Sequence, residues 1–111
     1  MVVDAKFARR KWLQKLLTAQ GHKVTIATQG FAALTKLRRY KYDLLLTDTK
    51  MPCLTGPELV AELQERGIKI HIIGMSSRPE CEKYYEYFWC KKEPSQKLLD
   101  LIKQVTAKPL N

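Results

Sequence analysis

Residues 42–52 read YDLLLTDTKMP. Leucines fill positions 44–46, a threonine and an aspartate close the run at Thr47 and Asp48, and a proline follows at position 52. An unbroken apolar run bounded by breakers is the pattern of a strand covered on both faces, as in a parallel sheet. Such a strand delivers Asp48 to the start of a loop, and loops at strand ends are where sites are usually built.

Working outward, the chain alternates. "MVVD" is a very short apolar run ending in Asp4. Residues about 6–20 place Phe7, Trp12, Leu13, Leu16 and Leu17 at helical spacing, so all five are expected on a buried face. Gly21 stands where a helix C-terminal glycine belongs. "HKVTIAT" alternates as a strand, and Gly30 opens a helical segment with Phe31, Ala32, Leu34 and Leu37. After the central run, Gly56 opens a third helix carrying Leu59, Val60 and Leu63, which Gly67 ends. "IKIHIIGM" is a further strand. The stretch 76–94 has room for at most a short helix and a short strand, and Pro94 and Ser95 open a last helix with Leu98, Leu99, Leu101, Ile102 and Val105. Strands and helices in alternation, joined by short loops, predict a parallel sheet with helices on both faces. One domain is expected from the length of 111 residues, over 1–107, with a frayed tail at 108–111.

In an open parallel sheet, sites form beyond the carboxyl ends of the strands. Those ends are Asp4, Asp48, Ser76 with Ser77, and the pair Lys91 and Lys92. Their chemistry is legible. One carboxylate has the chemistry of a nucleophile, a second acid that of a divalent-cation ligand, and a hydroxyl and an ammonium that of groups that bind phosphoryl oxygens.

At these residues the chain resembles the response regulator receiver domains of two-component signalling. "VVDAKFARR" is similar to the family's opening acidic motif, "LLLTDTKMPCLTG" to its phosphoacceptor motif, "IHIIGMSS" to the strand ending in the switch hydroxyl, and "FWCKK" to the strand ending in the family lysine. The resemblance implies an α/β three-layer, doubly wound sandwich, its five-stranded parallel sheet ordered 2-1-3-4-5. It implies that Asp48 accepts a phosphoryl group from a histidine kinase or phosphotransfer protein, normally aided by magnesium. Asp4 matches the first residue of the acidic pair, Ser76 the switch hydroxyl, and Lys91 or Lys92 the lysine; the backbone carbonyl of Lys50 falls at a metal ligand. Nothing more than self-phosphorylation and self-dephosphorylation is implied as enzymatic activity.

Three departures qualify this. Ala5 stands where the family has a second acid, so magnesium held by Asp4, Asp48 and the Lys50 carbonyl is expected to bind weakly. About two helical turns are missing between Ser76 and the lysines, so the expected fourth helix is shortened. "KKEP" displaces the usual Lys-Pro pair, and spacing leaves Lys91 and Lys92 open. The alternative is therefore a pseudo-receiver, a phosphorylation-independent interaction module on the same fold.

"YYEYFW" at 84–89 holds half of the ten aromatic residues. Alternation along a strand leaves some of these rings exposed, so Tyr84–Trp89 is expected to meet an output protein or a second copy. The net charge of +9 resides entirely before Asp43, where one acid faces ten bases. That polarity suits nucleic acid, an anionic surface or an acidic partner, or serves solubility alone; no helix-turn-helix or RNA-binding motif supports nucleic acid. No apolar run approaches the roughly 18–20 residues of a membrane span. Three cysteines, Cys53, Cys81 and Cys90, cannot all pair and match no zinc spacing. With no leader visible, a cytoplasmic protein with reduced thiols is expected. His22 and His71 stand far apart with no third ligand in view, so no metal role is assigned to them.

Overall fold

The computed structural model describes residues 1–110; of the tail expected at 108–111, Asn111 lies outside the described residues. The elements follow in the order β1 (Val2–Val3), α1 (Phe7–Ala19), β2 (Ile26–Ala27), α2 (Gly30–Arg39), β3 (Leu44–Asp48), α3 (Gly56–Glu65) and β4 (His71–Ser76), then a 3-10 segment (Pro79–Tyr84), β5 (Phe88–Cys90) and α4 (Ser95–Thr106). The five strands form one parallel sheet in the order β2-β1-β3-β4-β5, as expected.

Successive strand residues face opposite ways, and the core divides accordingly. Val3 and Leu45 join Ala33, Leu37, Leu59 and Leu63 beneath α2 and α3. Val2, Leu46, Ile73 and Met75 join Leu13, Leu17, Leu98, Ile102 and Val105 beneath α1 and α4. The central strands β3 and β4 are therefore apolar on both faces, which is why YDLLLTD carries no alternation.

Three expectations need correction. The strand expected over HKVTIAT narrows to Ile26–Ala27, an edge strand whose only neighbour is the two-residue β1. Phe7 and Trp12 do not lie on the buried face of α1: they are 65% and 45% exposed. The buried stripe runs Arg10, Leu13, Leu17, and Arg10 takes the place that the pattern gave to an aromatic residue. Its Nη1 donates to the Asp4 carbonyl at 2.8 Å. Phe7, one turn earlier, lies beside the cations of Arg10 and Lys11 instead. Trp12 stacks on the buried Trp89 at 6.4 Å between ring centroids, covering it from outside.

The shortened fourth helix is a 3-10 segment none of whose side chains is buried. The half-buried Tyr85 follows it directly.

Candidate functional site

Register brings the strand ends together. Val3 pairs with Thr47, so Asp4 emerges beside Asp48. Asp48 pairs with Met75, so Ser76 lies one residue further along the same edge. Ser76 pairs with Cys90, and the Lys91 amide donates to the Ser76 carbonyl at 2.8 Å. Four strand ends thus converge at the carboxyl edge.

Lys91 enters this edge. Its side chain is 8% exposed, and Nζ donates to Asp48 Oδ1 at 2.8 Å and lies 3.8 Å from Asp4 Oδ2. Lys92, the next residue, is exposed in the turn after β5 and takes part in none of these contacts. Asp48 Oδ1 also receives the Thr49 amide at 2.9 Å, so two donors hold that oxygen. Ser76 is buried, and its Oγ accepts the Arg78 amide at 3.1 Å, leaving the hydroxyl proton free to donate. Ser77 is exposed. Lys50 is exposed in the loop after Thr49.

Asp4 is fully buried. Its Oδ1 accepts the Lys6 amide at 2.9 Å. Its Oδ2 has no hydrogen-bond partner, the one such buried side-chain atom among the described residues. The Arg9 guanidinium lies 3.7 Å from it. Burial pushes the Asp4 carboxyl above the usual carboxylate range; the Asp48 charge adds to the shift, while the Lys6 amide, Lys91 and Arg9 oppose it.

An orphaned buried carboxylate oxygen beside a second carboxylate suits a cation. Ala5, however, is exposed and brings no oxygen side chain, and no group of three or more His, Cys, Asp or Glu side chains able to hold a metal gathers among the described residues. This donor set fits magnesium that keeps several of its waters, not a fully caged ion.

Four further residues shape this geometry without a sequence pattern that marks them. Arg9 and Arg10 belong to a basic stretch, yet both lie against Asp4. Thr49 directly follows Asp48, and its amide holds Asp48 Oδ1. Tyr85 stands in the aromatic run 84–89, yet its hydroxyl lies 2.8 Å from Thr49 Oγ1. Gly74, in the interior of β4, was the available clue, since a strand glycine often marks close approach of another group. The three cysteines are free, with Cys53 exposed and Cys90 buried. No helix among the described residues is long and apolar enough to cross a membrane.

Known proteins resemble this chain in sequence and in fold. Residues 1–91 match the response regulator receiver domain family. The sensor protein EvgS of Escherichia coli is 32% identical over 83 residues, which are 75% of this chain and 7% of that protein. Two-component response regulator 24 of Arabidopsis thaliana is 35% identical over 79 residues, which are 70% of this chain and 57% of that protein. The chain therefore spans only part of these relatives. Among solved structures, the response regulator TrrA of Thermotoga maritima, in complex with Mg2+ and BeF, superposes with a TM-score of 0.86 at 24% identity, covering 94% of this chain and 95% of that one. The strand order, the converging edge and the match over 1–91 lead to one conclusion: the chain belongs to the response regulator receiver domain family, the signalling domain of two-component systems.

Proposed function

We propose that Asp48 is the phosphoacceptor of a signalling switch, and that residues 1–107 work as one receiver unit. The observation that carries this reading is the contact between Lys91 Nζ and Asp48 Oδ1, with Asp4 alongside. Lys91 and the Thr49 amide both hold Oδ1, so Oδ2 is the oxygen left to attack. In transfer from a phosphohistidine donor, an Oδ2–P bond forms and the donor's P–N bond breaks. The electron pair leaves on the imidazole nitrogen. In this reading Lys91 and the Ser76 hydroxyl bind the phosphoryl oxygens of the resulting acyl phosphate. Lys92, exposed beyond the strand end, has no part in this.

Asp4, Asp48 and the Lys50 carbonyl are the groups that would hold magnesium. When bound, the ion would offset negative charge on the transferring phosphoryl group. With Ala5 in place of an acid, that hold is weak, and Lys91 carries more of the neutralisation. The intact Lys91–Asp48 pair favours a phosphoacceptor over a pseudo-receiver, which has no need of it.

The partners this reading implies are a cytoplasmic histidine kinase or phosphotransfer protein upstream, and an output protein or second copy meeting the Tyr84–Trp89 region. Nucleic acid has no part in it, and the domain's own chemistry ends at self-phosphorylation and self-dephosphorylation. The test is transfer of labelled phosphate from a histidine-phosphorylated donor domain to the wild type and to Asp48→Asn. Labelling that is alkali-labile and lost in Asp48→Asn supports the reading. Equal labelling of both, or none in the wild type, refutes it.

A further inference from the structure

Gly74 and Gly56 share a neighbour that neither sequence spacing nor strand register anticipates. A Cβ added to Gly74 would clash with the Tyr85 ring, at its Cγ, Cδ2 and Cε2 atoms. A Cβ added to Gly56 would collide with the Tyr85 hydroxyl and the Asp48 carbonyl. One glycine lies in the interior of β4 and the other opens α3. Both lack a side chain where Tyr85 passes, so the ring packs against the sheet at Gly74 and its hydroxyl reaches Thr49 in the loop after Asp48.

The hydrogen bonds at that hydroxyl have a fixed direction. Thr49 Oγ1 lies 2.9 Å from the Met75 carbonyl oxygen, which can only accept, so the one Thr49 hydroxyl proton goes there. The Tyr85 hydroxyl, 2.8 Å from Thr49 Oγ1, must then be the donor. Thr49 is held at every other polar atom as well. Its carbonyl accepts the Gly56 amide at 2.8 Å, and its own amide donates to Asp48 Oδ1 at 2.9 Å. The chain of contacts therefore runs from Tyr85 through Thr49 to the Asp48 carboxylate, with a branch to the peptide that precedes Ser76. Burial pushes the Tyr85 hydroxyl up to about 12, so it stays a donor at neutral pH.

We propose that Tyr85 is a positioning residue of this site, whose hydroxyl, acting through Thr49, fixes the orientation of the Asp48 carboxylate. It does not touch the reacting atoms. It holds Thr49, and Thr49 holds Oδ1 turned inward so that Oδ2 faces the donor. The role in phosphoryl transfer rests on the proposal that Asp48 is the phosphoacceptor; the role in orienting the carboxylate stands without it.

Tyr85→Phe is the decisive variant. It keeps the ring over Gly74 and removes only the hydroxyl, so the fold is retained and the melting temperature changes little. Two quantities are read on wild type, Tyr85→Phe, Thr49→Val and the double variant. The first is the carboxyl 13C resonance of Asp48 with the amide resonance of residue 49. The second is the rate of phosphoryl uptake from a small-molecule acyl phosphate. Tyr85→Phe should move both resonances and slow uptake about threefold to tenfold, the rate equivalent of one ordinary hydrogen bond. The double variant should be no slower than the slower single variant, because both changes break one chain. A folded Tyr85→Phe with unmoved resonances and wild-type uptake overturns the proposal. If the wild type takes up no phosphoryl group, the phosphoacceptor reading fails, and the resonances alone decide: movement sustains Tyr85 as the positioning residue of Asp48, and no movement ends it.

Discussion

Helix α3 and the 3-10 segment Pro79–Tyr84 adjoin the same face of the sheet, and they are secured in opposite ways. Helix α3 is written into its own sequence. Thr55 and Glu58 form a reciprocal capping box, with the Glu58 amide donating to Thr55 Oγ1 at 3.2 Å and the Thr55 amide to Glu58 Oε1 at 2.9 Å. Leu59 and Leu63 are fully buried. Gly67, at φ 67°, turns the chain out of the helix, and the Ile68 amide caps the Leu63 carbonyl at 2.9 Å. The 3-10 segment has no side-chain cap and no buried residue. What lies over Gly74 beside it is the single ring of Tyr85. One region spreads its stability over a cap, two leucines and a C-terminal turn. The other has no buried residue of its own, and Tyr85, which follows it, reaches the Thr49 hydroxyl beside the site.

The comparison can be broken at either end. Leu59→Ala should cost about 2–5 kcal/mol in urea denaturation, because it opens a cavity in a closed core. A surface change in the other region, Lys83→Ala, should cost less than about 0.5 kcal/mol. Equal losses would mean that the 3-10 segment is anchored in a way its exposed side chains do not show. Gly74→Ala comes next, at about 1–3 kcal/mol, because the new methyl group displaces the Tyr85 ring. In a Tyr85→Ala background the same substitution should cost almost nothing. A full cost there would mean that Gly74 is needed for backbone reasons and not to seat the ring.

A modest effect of opposite sign is expected at the carboxyl edge. Asp4→Asn should stabilise the protein at pH 7 by about 1 kcal/mol, since it removes a buried charge while Oδ1 can still accept the Lys6 amide. The sign follows from the raised carboxyl. The folded state favours the protonated acid, so the wild-type deficit is absent below the ordinary carboxylate range and grows as pH rises through it. The gain in Asp4→Asn should therefore vanish near pH 3. Melting curves from pH 3 to 7 check this, and a gain that grew on acidification would contradict it.

What the sequence made legible was whatever depends on local pattern. The apolar run at Leu44–Leu46 placed β3, and glycine and proline punctuation placed the helices. Strand ends then named Asp4, Asp48 and Ser76 as neighbours. What stayed hidden depends on contacts between distant residues. Lys91 and Lys92 could not be separated because period-2 alternation requires knowing where β5 ends, and it ends at Cys90. Arg10 looked like surface charge because its buried partner is a backbone carbonyl, which no pattern prints. Phe7 and Trp12 match helical spacing, but α1 turns the stripe Arg10, Leu13 and Leu17 inward and leaves both aromatics exposed. Tyr85 finds Gly74 and Thr49 across 11 and 36 positions, and only the folded chain joins them.

The most direct test of the account is intact-mass analysis after incubation with a small-molecule acyl phosphate, with and without magnesium, on the wild type, Asp48→Asn and Lys91→Ala. The account predicts a gain of one phosphoryl group in the wild type that survives magnesium removal in part, disappears in Asp48→Asn, and falls at least tenfold in rate in Lys91→Ala. A wild type that gains no mass under either condition, or an Asp48→Asn variant that gains as much, would contradict it.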